Sequence, residues 1–183
     1  MTDVQTVFAV VARQLPVAGV PCILIGGFAV NHYGYTRNTL DVDFMIGTEQ
    51  LDAVRQIMTD AGFTNVSIRD NVAFFSMPGS IWRVDFLKTD DQTMQRLLKN
   101  AVSASVQGCD LKVPALHDLI AMKIFSLSQD TPGRMGKDLP DIAYLTVIHD
   151  LSMEADIRPL CKQYGTSETY ELIRNHVEAL RST

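Results

Sequence analysis

The sequence is poor in cysteine, has no long apolar run and carries no surplus of positive charge. Each shortage closes off a class of protein. Its three cysteines, Cys22, Cys109 and Cys161, are widely spaced and form no Cys-x-x-Cys pair. Neither a disulfide framework nor a zinc cage is therefore expected, and the thiols read as reduced, small core residues. No apolar stretch approaches the ~20 residues that a membrane helix needs, so no membrane partner is expected. The first residues, Met1-Thr2-Asp3, show neither a basic region nor a signal-like apolar segment, which reads as cytoplasmic. The formal net charge of −5 gives no general footprint for a polyanion, so an RNA substrate would have to be met by a local basic rim. Repeats, low-complexity tracts and linkers of domain-separating length are also lacking.

What is there suits a packed core. The chain has 183 residues, 46% of them apolar and 20% charged, enough for one domain with a helical extension. Val4, Val7, Phe8, Val11 and Leu15 form one stripe of an amphipathic helix over 4–15, broken by Pro16 to Pro21. Cys22 to Ile25 reads as a short buried strand running into Gly26-Gly27, followed by a short helix from Phe28 to about Tyr33. After a polar loop, residues 40–46 alternate, with Thr48 as the cap of a helix from Glu49 to Ala61. Strands follow at 63–69, 72–77 and 81–88, a helix at 90–101, and a hairpin about Gly108. Helices are expected at 115–128, 137–149, 153–163 and 167–181, with Ser128 to Gly136 as a loop. The order predicts an α+β fold: a mixed sheet packed by helices over 1–113, then a C-terminal helical bundle over 114–183.

Asp41 and Asp43 stand two apart in a segment that is otherwise apolar. In a strand their carboxylates project from one face, about 6–7 Å apart along the chain, and repel each other. A magnesium ion, or manganese in its place, explains such a pair at less cost than a purely structural role. Hard oxygen ligands on a rigid strand suit a cation that also keeps waters and phosphate oxygens. Asp85 is a third acid in an apolar strand, and reaches the same cluster if its strand lies beside 40–46. Three convergent carboxylates suit metal-assisted nucleotidyl transfer, with Asp85 as a base or as the ligand that orients the nucleophile. Gly26-Gly27 supplies a turn without side chains where backbone N–H groups can meet phosphate. Arg37 could steer phosphates or close a loop, and Thr39 could bond across the turn or touch the nucleotide.

The stretch IGGFAVNHYGYTRNTLDVDFMI, residues 25–46, resembles the signature of the DNA polymerase β-like nucleotidyltransferase superfamily. With Gly34, Arg37 and Thr39 ahead of the aspartates, it looks most like the AbiE-type (AbiEii) toxin nucleotidyltransferases and related small bacterial proteins. The resemblance continues at His117 to Lys123 and at Arg134-Met135-Gly136-Lys137-Asp138-Leu139-Pro140-Asp141. It implies that Asp41, Asp43 and Asp85 bind metal and that Lys123 reaches the triphosphate. It also implies that Asp138 fixes that lysine or the nucleotide. Read from its own helix alone, Lys123 lies among Leu116, Leu119, Ile120 and Ile124 and would snorkel to water. Lys137, Asp138 and Asp141 open a helix, where acids complement the dipole, and the three-residue offset of the two acids suits a clamp on Lys123 or Lys137.

The function expected is transfer of a nucleoside monophosphate from a nucleoside triphosphate to a hydroxyl of RNA, protein or a small molecule. A toxin is the first choice, with an antitoxin protein as its partner, and an aminoglycoside-type drug-modifying enzyme is the second. A degenerate fold serving as a protein-binding module is disfavoured because three unused acids would be costly. A glycosyltransferase would place its Asp-x-Asp after a larger nucleotide-binding region. None of His32, His117, His149 and His176 has metal-ligand spacing with another. Trp82, Tyr33 and Tyr35 could stack on a base, although packing is the commoner fate of such rings.

Overall fold

The computed structural model describes residues 4–182; Met1–Asp3, Thr183 and the side chains of Val4, which is expected above on the apolar stripe, and Gln5 lie outside the described residues. The chain divides into two compact units. One comprises the residues up to His32 together with Arg37–Ala115, and the other joins Tyr33–Thr36 to the chain from Leu116 onward.

In the first unit the order is α1 (Val4–Val17), β1 (Cys22–Leu24), α2 (Gly26–His32), β2 (Asp41–Gly47), α3 (Leu51–Asp60), β3 (Asn65–Ile68), β4 (Val72–Ser76), β5 (Arg83–Thr89), α4 (Asp91–Asn100) and a hairpin of β6 (Val102–Val106) with β7 (Cys109–Val113). Five strands form one sheet in the order β1-β2-β5-β4-β3, with only β2 and β5 running parallel. One face of this sheet is a phenylalanine core. Phe44 stacks on Phe86 at 5.5 Å between centroids, Phe75 meets Phe86 edge-on at 5.6 Å, and Phe8 of α1 meets Phe28 of α2 at 5.0 Å. All five rings are buried, which anchors β2 and β5 from beneath and leaves their alternate residues to the other face.

Several local expectations shift. The first helix continues through Pro16 to Val17, and Gly19 at φ +70° ends it, with Val20 N–H donating to the Leu15 carbonyl. The second helix begins at Gly26 rather than Phe28, so the glycine pair forms its first turn. Thr48 does not cap α3: Thr48–Gln50 form a 3-10 turn, and the Thr48 hydroxyl donates to the Thr89 carbonyl at 3.0 Å. Asp90 does cap α4, accepting from Thr93 N–H at 2.8 Å.

The second unit holds α5 (Leu116–Gln129), α6 (Thr131–Arg134), α7 (Asp138–Ile148), α8 (Arg158–Tyr164) and α9 (Ser167–Arg181). The expected loop at 128–136 contains α6, capped by Asp130 through Gly133 N–H. The helix expected at 153–163 is split into a π turn, Met153–Ile157, and α8, where Pro159 sits in the first turn. Leu119, Ile120, Ile124, Ile142, Leu145, Ile173 and Val177 make its core. Tyr35 stacks on Tyr144 at 4.2 Å, and Tyr33 meets His149 edge-on, so these tyrosines are packed within this unit. Among the described residues no helix is long and apolar enough to cross a membrane.

Candidate active site

The parallel pairing of β2 with β5 sets Asp41 opposite Arg83 and Asp43 opposite Asp85. Residues in register on neighbouring strands project to the same face, so all three acids and one arginine share a patch on the side of the sheet away from the phenylalanine core. The apolar partners Val42, Phe44, Val84 and Phe86 are fully buried on the opposite face, and a one-residue slip would exchange the two sets.

Arg83 organises this patch. Its Nε donates to Asp85 Oδ1 at 2.7 Å and its Nη2 to Asp85 Oδ2 at 2.8 Å, a fork-to-fork pair. The same Nη2 lies 3.2 Å from Asp41 Oδ2. The hydrogen bonds to Asp85 raise the Arg83 pKa further above its already high ordinary value, and the charges of Asp85, Asp41 and Asp43 add to this. The sequence reading passed over Arg83. Arg-x-Asp on a strand was the signal, because that spacing puts the two side chains on one face.

The glycine turn touches the acids directly. Gly26 has φ +64°, a left-handed conformation, and a Cβ there would lie 1.9 Å from Asp43 Oδ2. A Cβ on Gly27 would lie 2.9 Å from Thr39 Oγ1. The chain is tied in place here by Ile25 N–H, which donates to the Asp43 carbonyl at 2.8 Å. Replacement of Gly26 by alanine is expected to lower stability by about 1–3 kcal/mol, read by urea unfolding, because the φ is unfavourable and Asp43 must move. An unchanged unfolding midpoint would show that this backbone conformation is not required.

Thr39 donates its hydroxyl to the Asp41 carbonyl at 3.2 Å, so of its two readings the structure contains the local hydrogen bond. The main chain of Arg37 is held at both ends by Asn31, whose Nδ2 donates to the Arg37 carbonyl at 3.1 Å. Asn31 Oδ1 in turn accepts from Arg37 N–H at 3.0 Å. This clasp, a second residue that the sequence reading missed, fixes the loop that leads into β2.

In the helical unit, Lys123 does not snorkel. It is buried on α5, and its Nζ lies 2.8 Å from Asp138 Oδ1 and 2.8 Å from Asp141 Oδ2 of α7. The two acids lie three apart in the first turn of α7, so both can close on one ammonium. Asp138 Oδ2 is buried without a hydrogen-bond donor, and Arg134 Nη1 is 3.8 Å from it. The two ion pairs engage two of the three ammonium N–H groups of Lys123. Lys137 is half-buried immediately before α7.

Of the three thiols expected in the core, Cys161 is buried while Cys22 and Cys109 are half-buried. Burial pushes Cys22 up to about 12 and Cys161 up to about 11, and all three cysteines are free. Among the described residues no three His, Cys, Asp or Glu side chains form a ready-made metal cage. The donor chemistry of Asp41, Asp43 and Asp85 nevertheless fits a hard divalent cation. Such ions take a few carboxylates and complete their shell with water and phosphate, so a closed protein cage is not required.

The chain is a nucleotidyltransferase by the family model that it matches. The chain is similar in fold to the antibiotic-resistance factor ANT(2'')-Ia, with 15% identity, 97% of this chain and 91% of that chain covered, and a TM-score of 0.58. An antigenic nucleotidyltransferase-like protein from Paracoccidioides brasiliensis has 17% identity, 93% and 91% coverage and a TM-score of 0.57. The lincosamide antibiotic adenylyltransferase LnuA has 13% identity, 80% and 98% coverage and a TM-score of 0.57. At these identities the likeness concerns the fold. The comparison with curated proteins returns no match. The family model "Nucleotidyl transferase AbiEii toxin, Type IV TA system" matches residues 10–182, and the chain belongs to that family.

Proposed function

We propose that this nucleotidyltransferase is a toxin that moves a nucleoside monophosphate from a nucleoside triphosphate to a hydroxyl on RNA or protein. Magnesium or manganese would be held by Asp41, Asp43 and Asp85. The observation that carries this reading is the register of β2 against β5, which sets Asp43 beside Asp85 and Asp41 beside the arginine that joins it to Asp85. The family match supports the toxin role and a cognate antitoxin as its partner.

In the reaction the acceptor oxygen forms a bond to the α-phosphorus, and the bond from that phosphorus to the pyrophosphate oxygen breaks. The bound cation would draw charge from the triphosphate and acidify the acceptor hydroxyl. Gly26 and Gly27 let the Asp43 and Thr39 side chains pack against the turn, so that a phosphate bound at the acids would meet backbone N–H groups there, and Arg37 and Thr39 lie on the loop that leads into β2. Both Asp85 oxygens already accept from Arg83. Asp85 would therefore orient the acceptor hydroxyl first, and would take its proton once that fork has opened.

Titration of ATP, CTP, GTP and UTP into the protein with magnesium tests the reading. Magnesium-dependent binding of at least one triphosphate is expected, followed by transfer of its labelled α-phosphate to RNA or protein in a cell extract. A folded protein that binds none of the four would overturn the enzyme reading in favour of a protein-binding module.

A further inference from the structure

Arg83 is placed where a divalent cation would compete with it. Its guanidinium spans Asp85 and Asp41 and so offsets their repulsion. The exposures of the partners differ: the Asp85 side chain is 7% exposed, that of Asp41 32% and that of Arg83 48%. The acids are fixed in the sheet, while the arginine can withdraw into solvent without leaving a void. It also has somewhere to rest, since its guanidinium carbon lies 5.1 Å from the centroid of the Phe74 ring on β4. That contact holds a cation on the face of the sheet whether or not the carboxylates are engaged.

We infer that Arg83 is a displaceable counter-ion of the carboxylate patch, holding Asp41 and Asp85 together until a divalent cation displaces it. This deepens the proposed function and rests on the cation-site reading of Asp41, Asp43 and Asp85. Three carboxylates on adjacent strands would destabilise the sheet if left to themselves. One guanidinium quiets two of them with a planar fork that a lysine ammonium cannot reproduce. A divalent ion brings twice the charge and takes oxygen ligands from both strands, so its entry must break at least part of the fork. Arg83 thereby lowers the affinity of the empty site for metal and stabilises the metal-free protein.

The test is manganese binding, measured by calorimetry without nucleotide, on wild type, Arg83→Met, Arg83→Lys and the double variant Asp41→Ala/Asp43→Ala. Thermal melting is followed with and without the ion. Arg83→Met is expected to bind manganese roughly two- to fivefold more tightly, as when a half-exposed ion pair no longer has to be broken. It should also melt at a lower temperature than wild type without metal and recover when manganese is added. Arg83→Lys keeps the charge but not the fork, and should bind with an affinity between those of wild type and Arg83→Met. Should Arg83→Met not fold, Arg83→Gln carries the same comparison. Equal or weaker manganese binding by the charge-neutral variant, against Asp-dependent binding by wild type, overturns the counter-ion role alone. Wild type that binds no manganese, or binds it equally well after loss of both aspartates, overturns the cation site and the counter-ion role with it.

Discussion

Replacing Asp41 and Asp43 together by alanine is expected to lower nucleotidyl transfer on the order of 10³-fold or more. The protein should remain folded. Both residues lie on the face of β2 away from the phenylalanine core, and neither is fully buried. Their removal takes away charge that the sheet tolerates only because Arg83 and its neighbours offset it. The unfolding free energy should therefore change little, and a small rise would match the common trade of stability for activity at functional sites. Transfer of labelled nucleoside monophosphate, read beside urea unfolding of both proteins, separates the two effects. Retention of more than a tenth of wild-type transfer by a folded double variant would remove the pair from the mechanism.

The second large effect is on stability. Lys123→Met is expected to cost about 3–5 kcal/mol in urea unfolding, the range for removing one member of a buried charge cluster. Methionine matches the length of the stem, so little packing is lost, but Asp138 and Asp141 are left buried with their shared ammonium gone. Replacing all three, as Lys123→Met with Asp138→Leu and Asp141→Leu, should return much of that loss, because an apolar trio of similar volume has no charge to desolvate. If the single change costs under about 1 kcal/mol, the α5–α7 clamp contributes little, and its acids are satisfied by other groups.

These two predictions fall on residues that the sequence revealed to different degrees. The alternation of residues 40–46 was enough to put Asp41 and Asp43 on one face and Val42, Phe44 and Ile46 in the core, since period two is a property of the strand itself. The glycine pair was legible as a close approach, though not what approached it. Asp43 and Thr39 arrive through the pairing of β1 with β2 and the loop before it. That β5 lies parallel to β2, with β4 on its far side, could not be seen locally: strand order depends on crossovers, and residues 48–82 separate the two partners. Arg83 was missed for this reason, as its meaning comes from Asp41 across the pairing as well as Asp85 along the strand. Asn31 was hidden differently, because its two bonds go to main chain, which carries no sequence signal. Lys123 read as a snorkelling residue because its own helix shows only apolar neighbours. Its two acids belong to α7, and only their three-residue offset hinted at a clamp.

The short run Tyr33–Thr36 has a consequence for how this chain can be cut or recombined. It belongs with the helical unit, where Tyr35 lies on Tyr144 and the Tyr33 carbonyl contacts His149, while Asn31 and Arg37 on either side are bonded to each other in the first unit. The backbone therefore passes from one unit to the other three times, at His32, Thr36 and Ala115. A fragment ending at Ala115 would keep these four residues without the helices that they pack against. Gene fusion or truncation at a single point cannot give two self-sufficient pieces. Replacing the helices would also require a new seat for this four-residue thread.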